Sequence, residues 1–428
     1  MNKQAFDLLV IGAGPGGIAA AVAAVKPGLK VALLDENPFA GGQIWRGGPR
    51  KAATTEAQGW FARLEKVPGL TYLSETKVIA PLGEGRLLVE TKNEAGEISY
   101  KKLILATGAR ELFLPFPGWT LPGVSGAGGL QALVKGGLTI AGKRVVVAGS
   151  GPLLMAVAAY LKSKGAEIAL VAEQAPLQKL ARFGLGLAGS ASKTRQALGF
   201  GWQLRGIPYK TGAWVETAEG THRLESVTVR QGGKSLTVPC DYLACGYGLV
   251  PNLELPLALG CPVKDGFIVV DEWQQTGQPG IYAAGELTGI GGLEMALVEG
   301  QIAGLAACVE GEKARLLFKE REKAKKFADL LNRTFALRPD LKRLARPETI
   351  ICRCEDVRYR DLQSFSDSRS AKLQTRCGMG PCQGRVCGAA TSYLFGWEPG
   401  QVRAPIKAAR LGSLVLAEAA TETEEASV

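Results

Sequence analysis

"FDLLVIGAGPGG", residues 6–17, decides the fold. A short apolar run, Phe6 to Ile11, enters Gly12, Gly14 and Gly17, which fit G-x-G-x-x-G. "IAAAVAAVK" (18–26) reads as a small-residue helix, and "KVALLDE" (30–36) as a second strand ending in Asp35 and Glu36. In such a unit the first glycine permits the tight turn, the second lets backbone touch a pyrophosphate, and the third lets helix and strand close up. The helix N-terminus supplies unpaired N–H groups for phosphate, and an acid about 20 residues on accepts a ribose hydroxyl. Strand, turn, helix, strand and acid together predict a dinucleotide-binding, Rossmann-like unit.

The pattern recurs in "KRVVVAGSGPLLMAVAAYLKSKGAEIALVAE" (143–173), with Gly149 and Gly151 in the turn and Glu173 at the matching acid position. Leu154 stands where the third glycine belongs and is expected to push helix and strand slightly apart. The second site therefore holds NAD, another adenine nucleotide, or nothing. Two further apolar strands end in small residues: "KKLILATGAR" in Ala106, Thr107 and Gly108, and "PGIYAAGELTG" in Gly285 and Glu286. Small residues let a cofactor lie against backbone, and the Glu286 carboxylate is placed to accept a hydroxyl. The predicted fold class is α/β. One nucleotide-binding domain (1–115 and 250–312) is split around a second (116–249), followed by a helical linker (313–345) and a small cysteine-rich domain with its tail (346–428).

Composition narrows the function classes. A hydrophobic share of 46% with 21% charged residues is globular. The 51 Lys+Arg against 40 Asp+Glu give +11, yet no run of like charges with interleaved aromatics points to nucleic acid. No uncharged apolar stretch reaches the ~18 residues that a membrane span needs. The N-terminus does not read as a signal peptide, and no extracellular disulfide framework is suggested, so the expected compartment is the reducing cytoplasm.

The first forty residues, the "ATG" of 106–108 and the "YAAGE" of 282–286 resemble the FAD-binding signatures of two-dinucleotide-binding-domain flavoproteins. With "LLDENPFAGGQIWR" (33–46), the whole chain resembles the large, FAD-dependent alpha subunits of heteromeric amine and imino-acid dehydrogenases. These are the opine oxidase, D-hydroxyproline dehydrogenase and hydrogen cyanide synthase type. The resemblance implies FAD on Gly12, Gly14, Gly17 and Gly42, with Asp35 or Glu36 on the adenosine ribose. It also implies Gln43 and Arg46 beside the cofactor and the Val78 backbone at the adenine. The partners it implies are a small ferredoxin-like subunit and a substrate-oxidising flavoprotein beta subunit.

Catalytic machinery is not found. No cysteine pair follows the "GGQIWR" glycines, and the second nucleotide unit has no C-x-x-C. The single histidine, His222, reads as a surface residue, so no catalytic residue is assigned. Electron transfer needs none, because a flavin is only positioned and tuned by its protein.

Five of the nine cysteines crowd into "CRCEDV" (352–357) and "TRCGMGPCQGRVC" (375–387). Zinc and inert packing are alternatives, but C-x-C followed by a glycine-rich C-x4-C supplies thiolates and backbone N–H groups together, as an iron–sulfur cluster requires. The segment resembles the bacterioferritin-associated ferredoxin type of [2Fe–2S] domain. The expected ligands are Cys352, Cys354, Cys377 and Cys382, with Cys387 as the spare. Arg353, Arg376 and Arg385 are expected around the sulfurs. Three functional readings follow: an electron-transfer subunit carrying FAD and a cluster, a self-sufficient reductase fed by NAD(P)H through Gly149, Gly151 and Glu173, and a non-catalytic scaffold.

Overall fold

The computed structural model describes residues 2–24, 28–51, 54–187, 191–398, 400 and 402–415. It resolves into two α/β units, residues 1–110, 251–329 and 401–428 in the first and 111–250 with 330–400 in the second.

In the first unit the strands Leu70–Leu73, Val31–Leu34, Asn2–Ile11 and Ala95–Leu105 run parallel in that order, with Ile281–Ala283 beside the last. The half of Ala95–Leu105 that lies before this pairing carries Arg86–Glu90 and Lys77–Pro81 in antiparallel pairing. Val31–Leu34 is buried along its whole length, as expected of a parallel strand covered on both faces. The helix Pro15–Ala23 is nearly all Ala, Gly and Ile because another helix, Gly292–Ala307, lies almost against its backbone. A Cβ on Gly300 would stand 2.1 Å from the Gly16 carbonyl oxygen, and one on Gly304 2.3 Å from that of Ala20. That packing fixes the helix N-terminus at the end of Asn2–Ile11.

The second unit repeats the plan with a parallel sheet in the order Tyr209–Thr211, Glu167–Glu173, Arg144–Gly149, Tyr242–Gly246, Val124–Gly126. An antiparallel meander, Ala213–Glu219, Ser226–Gln231 and Lys234–Pro239, accompanies it. Leu154 is fully buried within the helix Leu153–Ser163, and the neighbouring strand ends beside it in Gly246. A Cβ at 246 would stand a tight 3.2 Å from the Ala127 Cβ and an ordinary 3.5 Å from a Leu154 methyl.

The C-terminal third departs from the expected boundaries. The cysteine-rich segment belongs with the second unit: Trp119 Nε1 donates to the Ile350 carbonyl at 2.6 Å, and the Arg353 guanidinium lies 5.4 Å over the Trp119 ring. Residues 402–415, expected to follow the cysteine domain, return to the first unit. There the Ile406 N–H donates to the Ile79 carbonyl, the Arg410 N–H and Ser413 hydroxyl donate to Glu90, and Ala409 and Leu414 pack on Ile79 and Leu88. Glu90 is buried, so it needs these donors and Lys77, 2.8 Å away. The rest of the expected tail, 416–428, lies outside the described residues.

Candidate functional site

The glycine turn of the first unit is built by close approaches. A Cβ on Gly12 would stand 2.2 Å from the Ala106 carbonyl oxygen, and one on Gly17 1.7 Å from that of Gly12. Gly14 differs. A Cβ there would meet nothing nearer than the Gly42 Cα at 4.0 Å, so the second glycine faces open space beside Gly42. Gly41 closes the turn by donating its N–H to the Ala13 carbonyl at 2.7 Å. The first turn of the helix has no intrahelical acceptors for its N–H groups, which therefore point at that space.

Asp35 and Glu36 part company in three dimensions. Asp35 is buried under the turn; Oδ2 accepts the Ala13 N–H at 2.6 Å, and Oδ1 accepts from the Asn37 N–H and Nδ2 at 2.8 Å. Glu36 is exposed and ion-paired with Lys407 of the returning segment. Of the two acids, the fold brings Asp35 to the glycine turn. Gln43 and Arg46 lie exposed beyond Gly42, the Arg46 Nη1 donating to the Gln43 Oε1 at 2.6 Å. Val78 is buried opposite Val89.

Ala106, Thr107 and Gly108 follow the next strand, and Asn252 holds them. Its Nδ2 donates to the Thr107 carbonyl at 2.8 Å, its N–H donates to that of Gly108, and the Thr107 hydroxyl donates to the Asn252 carbonyl. Gly285 donates its N–H to Glu299, whose buried carboxylate also accepts the Thr288 hydroxyl. Burial pushes Glu299 up to about 7. Glu286 receives the Gly292 N–H at 3.0 Å through Oε1, while Oε2 is buried with no hydrogen-bond partner among the described residues. Burial raises it to about 7 as well. An orphaned buried carboxylate oxygen needs a donor. A hydroxyl of a bound cofactor supplies one, so the residues present fit FAD: a cradle at Gly14, free helix N–H groups, and an acceptor at Glu286.

In the second unit Gly149 and Gly151 hold the corresponding turn, Gly151 with φ of 101° where Gly14 has −73°, and Glu173 lies beneath it, fully buried. Both its oxygens are used by backbone: Oε2 accepts the Gly151 N–H and Oε1 that of Ala175, each at 2.7 Å. Burial pushes Glu173 up to about 7 from an ordinary 4.5. Its contribution to stability is therefore present below pH 4.5 and lost as pH rises through 7, about 3 kcal/mol in all. We expect the melting temperature of the flavin-free chain to fall between pH 5 and 8. Glu173→Gln should make that fall shallower, and an unchanged slope would show that Glu173 does not titrate there. A cavity of about 680 Å³, lined by Trp214, Arg230, Arg338 and Arg343 among others, opens next to Pro176 and contains none of the residues singled out from the sequence. His222 is exposed in a bend, as expected.

The five C-terminal cysteines do converge. Cys352, Cys377 and Cys387 hold their sulfurs within 4.8 Å of one another, and Cys354 and Cys382 form an adjoining thiol pair. Cys387, expected as the spare, is thus in the core of the nest, and Cys382 is partnered with Cys354. Backbone N–H groups of Gly378 and Glu355 point at Cys352, and those of Val386, Gly384 and Arg385 at Cys382. Burial alone would raise Cys382, but those N–H groups and the Cys354 thiol hold it below the usual thiol range. Hydrogen bonding to Cys377 pushes Cys387 far up instead, with burial adding to it. Thiols packed this closely cannot all ionise without a cation among them. The donor set fits an iron–sulfur cluster. Of the arginines expected around the sulfurs, Arg353 covers Trp119, Arg376 is paired with Glu355 at 2.8 Å, and Arg385 donates to the Cys382 carbonyl.

Residues 6–304 match the family of pyridine nucleotide-disulphide oxidoreductases. The chain belongs to that family. It is 32% identical over 426 residues to the hydrogen cyanide synthase component HcnB of Pseudomonas protegens, with 90% of each chain covered. It is 31% identical over 467 aligned positions to an opine oxidase subunit from Agrobacterium tumefaciens, covering 96% of this chain and 91% of that one. L-proline dehydrogenase from P. horikoshii superposes with a TM-score of 0.66 at 21% identity, covering 96% of this chain and 80% of that chain. For thioredoxin reductase from T. acidophilum the values are 0.55, 22%, 72% and 99%. The two-dinucleotide-binding flavoprotein fold is thereby shown, and the chain is an oxidoreductase of the FAD-binding type. Family membership does not bring disulphide chemistry to the Gly41–Gly42 loop, where no cysteine follows. Among the described residues no helix is long and apolar enough to cross a membrane.

Three residues here escaped sequence reasoning. Asn252 and Glu299 act through backbone groups far from them in sequence. Glu111 accepts the Gly128 and Gly129 N–H groups at 2.7 and 2.9 Å and anchors the helix Ala127–Lys135. Only the "GLVPN" turn carried any signal, through its placement between domains.

Proposed function

We propose that this chain is the electron-transfer subunit of a heteromeric dye-linked dehydrogenase, acting on CH–NH or CH–NH2 donors of the D-hydroxyproline, proline, opine or glycine class. The observation that carries this reading is a cysteine nest fit for a [2Fe–2S] cluster in a chain of FAD-binding fold. The likeness to single subunits of hydrogen cyanide synthase and of opine oxidase, both parts of larger assemblies by name, supports it. When bound, FAD supplies acceptance of electron pairs and the cluster supplies their release one at a time.

The residues do the holding. Gly12, Gly14, Gly17 and Gly42 shape the pyrophosphate cradle, Asp35 orders the turn at the adenosine ribose, and Ala106 to Gly108 let the cofactor lie on backbone. Glu286 accepts a hydroxyl through its free oxygen. In the second unit Cys352, Cys377 and Cys387, with one of Cys354 and Cys382, ligate iron. The C–N bond is oxidised on a flavoprotein partner subunit, with a small ferredoxin-like subunit as a further partner, a reading supported by the likeness to single subunits of multisubunit assemblies. A reducing, cytoplasmic setting is part of the same proposal.

The test is co-expression with candidate partner subunits, assayed with amine substrates and an artificial dye. The full assembly should turn over while the lone chain stays inactive but can be reduced chemically at both centres. Amine oxidation by the lone chain at an ordinary enzymatic rate would refute a partner-borne active site.

A further inference from the structure

The second glycine turn is not free to receive what such turns receive. In a dinucleotide site the N–H of the second glycine faces the pyrophosphate and the space above it is empty. Here the Gly151 N–H is given to Glu173, and the Ser150 N–H to the Gly246 carbonyl at 2.6 Å. In the first unit the acid takes the N–H of the middle residue, Ala13, and leaves that of Gly14. One step of register separates a turn that keeps its anion-binding donor from one that has spent it.

The space is also taken. Residues Phe335–Arg338, entering directly after the helix Phe318–Thr334, lie on the turn. The Ser150 hydroxyl donates to the Phe335 carbonyl at 2.9 Å, and Gln174 Nε2 donates to the Ser150 hydroxyl at 2.9 Å. Gln174 Oε1 accepts the Arg338 N–H at 3.2 Å. Gln174 is fully buried and Ser150 nearly so, so these are committed bonds. The Phe335 ring is the nearest neighbour of Gly151, 3.9 Å from where a Cβ would stand, and it packs edge-on against Phe183 at 5.2 Å. Where the first unit sets a second glycine against Gly14, this one sets a phenyl ring.

We infer that Phe335–Arg338 permanently occupies the dinucleotide site of the second unit, so that the chain takes no pyridine nucleotide and no hydride enters it from NADH or NADPH. The segment is also a strut. The Tyr393 hydroxyl donates to the Arg338 carbonyl at 2.9 Å, and Tyr393 lies on the helix Cys387–Phe395, whose first residue is in the cysteine nest. The contacts that displace a nucleotide thus brace the helix that presents a cluster thiol. Occupation of the turn does not depend on which amine the assembly oxidises.

The experiment uses the flavin-loaded full chain under anaerobic conditions. With NADH or NADPH at about 1 mM, the flavin should not bleach faster than in buffer, and neither nucleotide should bind with a Kd below that concentration. Hydrogen exchange should show Phe335–Arg338 protected in the wild type. In Gln174→Ala the exchange there should rise at least about tenfold, because the buried anchor is gone. Sub-millimolar NADH binding with deprotection of Phe335–Arg338, or flavin reduction by NADH, would overturn the inference. So would wild-type exchange in the segment as fast as in Gln174→Ala.

Discussion

Gly17→Ala should leave the chain without flavin and with its first unit badly destabilised. The added Cβ would sit 1.7 Å from the Gly12 carbonyl oxygen, a backbone atom that cannot rotate away. Relief requires the helix Pro15–Ala23 to lift from Asn2–Ile11, yet Gly300 and Gly304 hold the other side of that helix against Gly292–Ala307. Overpacking of this kind costs at or beyond about 3 kcal/mol. Gly14→Ala is the discriminating companion. Gly14 has φ of −73° and ψ of −178°, which alanine adopts freely, and its Cβ meets no protein atom closer than 4.0 Å. That variant should melt like the wild type when flavin-free and yet bind FAD at least about tenfold more weakly, roughly 1.4 kcal/mol. Melting curves of the apoproteins and flavin titrations separate the two effects. If Gly14→Ala bound FAD normally, the pyrophosphate would not lie on that turn.

The second large effect concerns iron. The wild-type chain, purified anaerobically, should carry a [2Fe–2S] centre with a rhombic signal on reduction. Cys352→Ser or Cys387→Ser should remove it, leaving less than about a tenth of the iron, since thiolates are the ligands such clusters require. The Cys387 variant is the sharper test, because the chain order had left Cys387 as the spare while the fold sets its sulfur within 4.8 Å of those of Cys352 and Cys377. Flavin content should be unaffected, as the flavin residues belong to the first unit and the cysteines to the second. Cys387→Ser with an unaltered signal would return Cys387 to the role of bystander. Zinc in place of iron in the wild-type protein would make the nest structural.

What could be read from the amino-acid order was what short-range rules govern. Glycines 12 and 17 declare a strand–turn–helix because only Gly fits where backbone meets backbone, Gly14 keeps the space beside the turn open, and the acid 22 residues beyond Ala13 follows from the length of one strand–helix–strand repeat. Both Rossmann-like units, the "ATG" and "AAGE" strand ends, and the crowding of cysteines were legible on that basis. The different settings of Asp35, bonded under the turn, and Glu36, exposed, were not, because they depend on the Ala13 N–H and on Lys407, which returns from far along the chain to pair with Glu36. Nor was Cys387 recognisable as central, because glycine turns with positive φ at Gly378 and Gly384 bend the chain there in a way that spacing does not express. The emptiness of one glycine turn and the occupation of the other lay furthest from view. By sequence the two motifs differ mainly at Leu154. In the folded chain they differ because a segment 185 residues away from Ser150 lies across the second turn, and a one-residue change of hydrogen-bond register under it consumes the N–H that phosphate would need. Local order determined which turns form; what those turns can still bind was decided by side chains and segments that only the tertiary fold brings to them.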